Sequence, residues 1–243
     1  MNRLKSFLPI FLLSLFFSSC AVTDFLKKGF ENFTTYFNIY YNANKIFSEA
    51  EQELLKQQKD IFTTKVIAPS GNVTNKLVQV IEKCSKILQY HQNSSLVDDA
   101  LFMIGKAYYY QREYPSAIRK FSELLATFPD SKYALEAKLW IARSYAQTIE
   151  TDRALKLLNE IYLDAKDQEE EEVMSLALLE IIKIYFKRND YEGIINLGQE
   201  FVKISDDDEA RAQVLMQIGN SYAKLGQLDQ ALENYSKVKK IYI

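Results

Sequence analysis

The sequence predicts an all-α chain, a solenoid of about five antiparallel helix pairs. Two observations predict it. The first is internal repetition: "YHQNSSLVDDALFMIGKAYYY" (90–110) aligns with "TFPDSKYALEAKLWIARSYAQ" (127–147), so that Ala100 falls on Ala137, Ile104 on Ile141, Gly105 on Ala142 and Tyr108 on Tyr145. A second amphipathic segment follows each block, and self-similarity at a period of roughly 20–50 residues marks a stacked array. The second is composition. Gly (7) and Pro (4) are scarce in 243 residues, which argues against turn-rich sandwiches and barrels and for helices joined by short loops.

The elements follow in order. Residues 33–58 have helical periodicity and 75–91 form a second amphipathic segment. Between them Pro69, Gly71 and Asn72 read as a loop. Residues 33–97 are therefore expected to be an atypical first helix pair with an insertion at about 59–74, as capping repeats often are. Four regular units are expected at 98–131, 135–168, 175–208 and 212–243.

In 98–131 the pattern is Leu101, Ile104, Gly105, Tyr108, Ala117, Phe121, Leu124 and Pro129. Small residues at Gly105 and Ala117 let two helices approach, Tyr108 and Phe121 fill the space beside them, and Pro129 ends the second helix because its ring cannot continue it. Residues 135–168 repeat it with Ala142, Tyr145 and Ala154. Residues 175–208 are degenerate, with Ile182 and Ile194 in place of small residues, although Tyr185 holds register. Residues 212–243 restore it with Gly219, Tyr222 and Ala231. These positions resemble the tetratricopeptide repeat (TPR), a helix–turn–helix unit of about 34 residues, and the resemblance implies that the pairs stack into a right-handed superhelical solenoid. An apolar face is expected to stay open after the last unit.

The N-terminus has Arg3 and Lys5, then the apolar run "FLPIFLLSLFF", then "SSC" ending at Cys20. Eleven residues at ~1.5 Å each are too short to span a bilayer core, and the flanks suit a signal peptide, residues 1–19. "FFSSC" resembles the lipobox of bacterial lipoproteins, although Phe17 stands where that family prefers Leu. The resemblance implies acyl chains on Cys20, a tether over 20–32, and a net charge that goes from −2 to −4 as Arg3 and Lys5 leave. The alternative is an ordinary secretory signal cut near Ser19 or Ala21. With Cys20 acylated, Cys84 has no thiol partner within the chain and reads as a small buried hydrophobe.

Catalytic chemistry finds little material. There is one His, His91, expected at a turn, and no P-loop, GxGxxG or HExxH. Neither a cofactor nor a metal site is expected, since zinc needs three or four protein ligands and the acidic runs 167–172 and 205–209 lack EF-hand spacing. The balanced charge does not suggest nucleic-acid binding.

The TPR resemblance also implies a groove lined by the first helix of each pair, with the ninth repeat position facing it. Those positions are Lys106, Arg143, Lys183 and Asn220, supported by Lys187 and Lys224 one turn on. Phe102, Tyr109, Leu139 and Phe186 are expected on the same face as an apolar floor. Cations over such a floor suit a peptide carrying carboxylates, the mode in which solenoids bind; no small-molecule substrate is expected.

The linker "FPDSKYALEAKLW" resembles that of periplasmic TPR lipoproteins, including those of the β-barrel assembly machinery and the Tol-associated division coordinator. "TYFNIYYNANKIFSEAE" (35–51) is similar to the start of long Bacteroidota and Chlorobi lipoproteins of gliding motility and type IX secretion. Together they imply a non-enzymatic, periplasm-facing outer-membrane scaffold whose partners are other envelope proteins. Two alternatives stay open: the anchoring module of a longer motility or secretion protein, and a cell-wall or division coordinator.

Overall fold

The computed structural model describes residues 37–57, 60–62, 68–91 and 94–241. Cys20, the signal segment and the tether lie outside the described residues. Ten helices stand among those described: α1 (37–55), α2 (Gly71–Tyr90), α3 (Val97–Tyr110), α4 (Tyr114–Thr127), α5 (Ala134–Ala146), α6 (Thr151–Asp167), α7 (Glu171–Arg188), α8 (Tyr191–Ile204), α9 (Asp208–Lys224) and α10 (Leu228–Ile241). From α2 onward each helix packs on the next, and α3 also meets α5 and α5 meets α7. The chain is thus a solenoid of stacked pairs.

Apolar spacing sorts the helices into two layers. In α2 the buried residues are Val73, Leu77, Val80, Cys84 and Ile87, and in α6 they are Ala154, Leu158, Ile161 and Ala165. That is one stripe at i, i+4, i+7, i+11, the mark of a helix covered on one side. By contrast α3 buries Val97 and nearly every residue from Asp99 to Ala107. A helix buried on several sides is sandwiched, so α3, α5, α7 and α9 are the inner layer and α4, α6, α8 and α10 the outer one.

Close approach within a pair is set by small residues. A Cβ added to Gly105 would lie 2.6 Å from the Phe121 ring, and one on Gly219 would strike Tyr235. Ala117, Ala142, Ala154 and Ala231 are buried, while Tyr108, Tyr145, Tyr185 and Tyr222 are half-buried beside the seams. The degenerate α7–α8 pair keeps Ile182 and Ile194 buried and finds its small residue elsewhere. A Cβ on Gly193 would meet the Tyr185 ring at 2.5 Å, and one on Gly198 would meet Ile218 of α9 at 2.9 Å.

Helix ends explain the remaining differences from expectation. α2 starts at Gly71, inside the expected insertion, because the Ser70 hydroxyl accepts the Val73 N–H at 3.3 Å and caps it. The acidic runs lie partly in first turns, Glu171 and Glu172 in α7 and Asp208 and Glu209 in α9, where negative charge suits the helix dipole. Pro129 follows the end of α4, and His91 caps the C-terminus of α2. On the last pair Leu225, Leu228 and Leu232 are exposed.

Candidate peptide-binding groove

One turn of α1 and the inner faces of α3, α5 and α7 surround a cavity of about 430 Å³. Its walls are aromatic. Tyr109 packs edge-on against Trp140 with ring centres 4.8 Å apart and against Tyr114 at 5.5 Å, and Tyr110 meets Trp140 at 5.8 Å. Phe186 of α7 closes the far side, edge-on to Phe62 of the α1–α2 connection at 5.4 Å.

Of the expected ladder, Arg143 and Lys183 line the cavity and Lys106 does not, and each of the three is paired with a carboxylate. Lys106 Nζ is 2.8 Å from Glu51 Oε1 and lies over the rings of Phe47, Phe102 and Trp140. Arg143 Nε is 3.0 Å from Glu180 Oε1, and its guanidinium lies over Trp140 at 4.7 Å. Lys183 Nζ reaches the same Glu180 oxygen at 2.9 Å. Glu180 is buried, and burial pushes its pKa up, but Lys183 and Arg143 more than reverse this and bring it down to about 2. Glu51 also accepts a hydrogen bond from the Tyr110 hydroxyl at 2.7 Å. Burial and then the Glu51 charge push the Tyr110 pKa up.

Lys187 stands at the mouth, exposed, its ammonium 3.3 Å from Gln147 Oε1. Burial of part of its length, reinforced by Lys183 and opposed by Glu180, holds its pKa below the usual lysine range. The cavity lining contains Arg112, Arg143, Lys183 and Lys187 against Glu51 and Glu180, an excess of cations.

Of the residues the sequence singles out, Tyr109, Arg143, Lys183, Phe186 and Lys187 line this one cavity. Phe102 is stacked on Tyr133 at 4.3 Å between ring centres, in the core between α3, α4 and α5, and Leu139 is buried between α5, α6 and α7. Asn220 accepts from the Tyr235 hydroxyl at 2.9 Å and ties α9 to α10, while Lys224 is exposed in the last turn of α9; neither lines the cavity. Sequence reasoning missed Trp140, Tyr110, Glu51, Glu180 and Phe62. For Glu180 a signal existed, since it precedes Lys183 by one helical turn.

Among the described residues no group of three or more His, Cys, Asp or Glu is placed to hold a metal ion, and no helix is long and apolar enough to cross a membrane.

Residues 102–170 and 213–242 match models of the tetratricopeptide repeat, and the fold is a TPR solenoid. The outer membrane protein assembly factor BamD of Buchnera aphidicola subsp. Acyrthosiphon pisum (strain APS) is 24% identical over 281 residues, covering 100% of this chain and 98% of that protein. Two crystal structures share the fold. MamA is 16% identical with a TM-score of 0.54, covering 74% of this chain and 96% of its own. BtubC from P. vanneervenii is 12% identical with a TM-score of 0.61, covering 85% of this chain and 91% of its own.

Proposed function

We propose that the chain is a non-enzymatic scaffold, held at the bacterial outer membrane by lipid on Cys20 and facing the periplasm, whose concave cavity binds peptide segments of envelope-assembly partners. The observation that carries this reading is the cavity itself, where aromatic walls converge with Arg143, Lys183 and Lys187 on the inner layer of a TPR solenoid. Aromatic surfaces offer a large rigid contact area, and the Lys187 ammonium at the mouth, hydrogen-bonded to the Ala146 and Gln147 oxygens, draws acidic segments. Likeness to BamD over nearly its whole length favours outer-membrane protein assembly over the motility and division alternatives.

Pull-down from detergent-solubilised envelopes tests it. Reversing Lys106, Arg143 and Lys183 together removes the ladder but also strips Glu51 and Glu180 of their partners. Lys187→Glu changes the charge at the mouth while leaving those pairs intact. It is expected to lower recovery of an envelope partner several-fold with an unchanged melting temperature. Unchanged recovery with Lys187→Glu and with the triple reversal would overturn the reading.

A further inference from the structure

The connection between α1 and α2 leaves the first helix pair and ends up on the fourth and fifth. The Ile61 N–H donates to Gln213 Oε1 of α9 at 2.9 Å, across 152 residues of sequence. Phe62 is only 3% exposed, edge-on to Phe186 and clustered with Leu178 and Ile182 of α7 and Val214 of α9. Asp60 stays exposed, and its carboxylate accepts the Phe62 N–H at 2.8 Å, folding the segment into a self-capped turn. Ile61 and Phe62 thereby form one wall of the cavity that holds Arg143, Lys183, Lys187 and Phe186. Among the described residues of the connection, the attachment consists of the buried Phe62 ring, the partly buried Ile61 side chain and the one hydrogen bond to α9.

Taking the cavity as a peptide site, we propose that Asp60–Phe62 is an intramolecular occupant of the concave face. It fills the seat beside Phe186 between α7 and α9, and a partner segment of the same chemistry, a short turn with an aromatic residue beside an aliphatic one, binds by displacing it. An occupant tethered in the same chain acts at an effective concentration of about millimolar, so it raises the apparent dissociation constant of any competitor for the seat. A binding-competent state populated only in part lowers affinity by that fraction.

The probe is a fluorescent peptide copying residues 56–68, titrated into the full mature chain carrying Cys20→Ser, with anisotropy and the fluorescence of Trp140, the chain's single Trp, as readouts. Phe62→Ala empties the seat. Ile61→Pro deletes the donated N–H without opening a cavity, and serves if the first variant loses its helical circular dichroism. The peptide is expected to bind each folded variant at least tenfold tighter than the unsubstituted chain, and the same peptide with Ala at its Phe position is expected not to bind. Equal affinity for all forms, or binding to none, would overturn the proposal and make Phe62 a permanent part of the core. Lys187→Glu pull-downs, which do not involve this peptide, report on the groove reading separately.

Discussion

Arg143 of α5 and Lys183 of α7 share one oxygen of Glu180, at 3.0 and 2.9 Å. A single buried carboxylate therefore fastens two neighbouring inner helices and fixes the direction of two cations at the cavity. Removing one partner of a buried pair leaves the other uncompensated, a cost of roughly 3–5 kcal/mol where no second partner remains. Because Lys183 stays in place, Arg143→Ala is expected to destabilise by about 2 kcal/mol, and a double-mutant cycle with Glu180→Gln to show coupling of about 1–3 kcal/mol in urea unfolding.

The same carboxylate sets an acid dependence. Its folded pKa, about 2, lies below the ordinary 4.5. Between these values the unfolded chain binds the extra proton, so stability falls as pH drops through that window and is fully present above it. The difference in unfolding free energy between the unsubstituted chain and Glu180→Gln is expected to shrink by about 3 kcal/mol from pH 5 to pH 2. Urea titrations across that range measure it, and a pH-independent difference would contradict the ion-pair assignment.

Gly105 and Gly71 separate packing from backbone freedom. Gly105→Ala places a methyl group against the Phe121 ring and is expected to destabilise by about 1–3 kcal/mol through overpacking. Gly71, in the first turn of α2, has open space around it, and Gly71→Ala is expected to stabilise by about 0.5–1 kcal/mol through helix propensity. Thermal unfolding of the two variants should move the midpoint in opposite directions.

Cys84 is fully buried with its Sγ 3.7 Å from Met103 Sδ, and burial pushes the thiol up to about 12. Thiolate is the reactive form. In the Cys20→Ser chain, Ellman's reagent at pH 8 is expected to find no reactive thiol until denaturant is added, and then one equivalent. Rapid labelling of the native protein would show that the α1–α3 core opens.

What was legible in the sequence was what repeats. Gly105, Ala117, Phe121 and Ala142 recur at fixed spacing because every pair needs the same close approach, so the all-α solenoid could be read from one chain. The third unit hid its substitute: Gly193 stands one position before Ile194, where the repeat expects Ala, and works only because Tyr185 leans over it. The cavity was half legible. Position in the repeat picked out Arg143, Lys183 and Lys187, but Phe102 and Leu139 share the period of groove residues while packing into the core between neighbouring helices. Phe62 carries no periodic signal, since a connection between helices obeys no helical repeat and its partners lie about two-thirds of the chain away.

The most direct measurement is site-specific photo-crosslinking in living cells. A photoreactive amino acid placed at Tyr109, on the cavity wall, is compared with one at Glu123, exposed on outer helix α4. A crosslink to an envelope protein is expected from position 109, weakened by Lys187→Glu and not given by position 123. Equal crosslinking from both positions, or none from position 109, would contradict the claim that the concave cavity is where this scaffold takes hold of its partners.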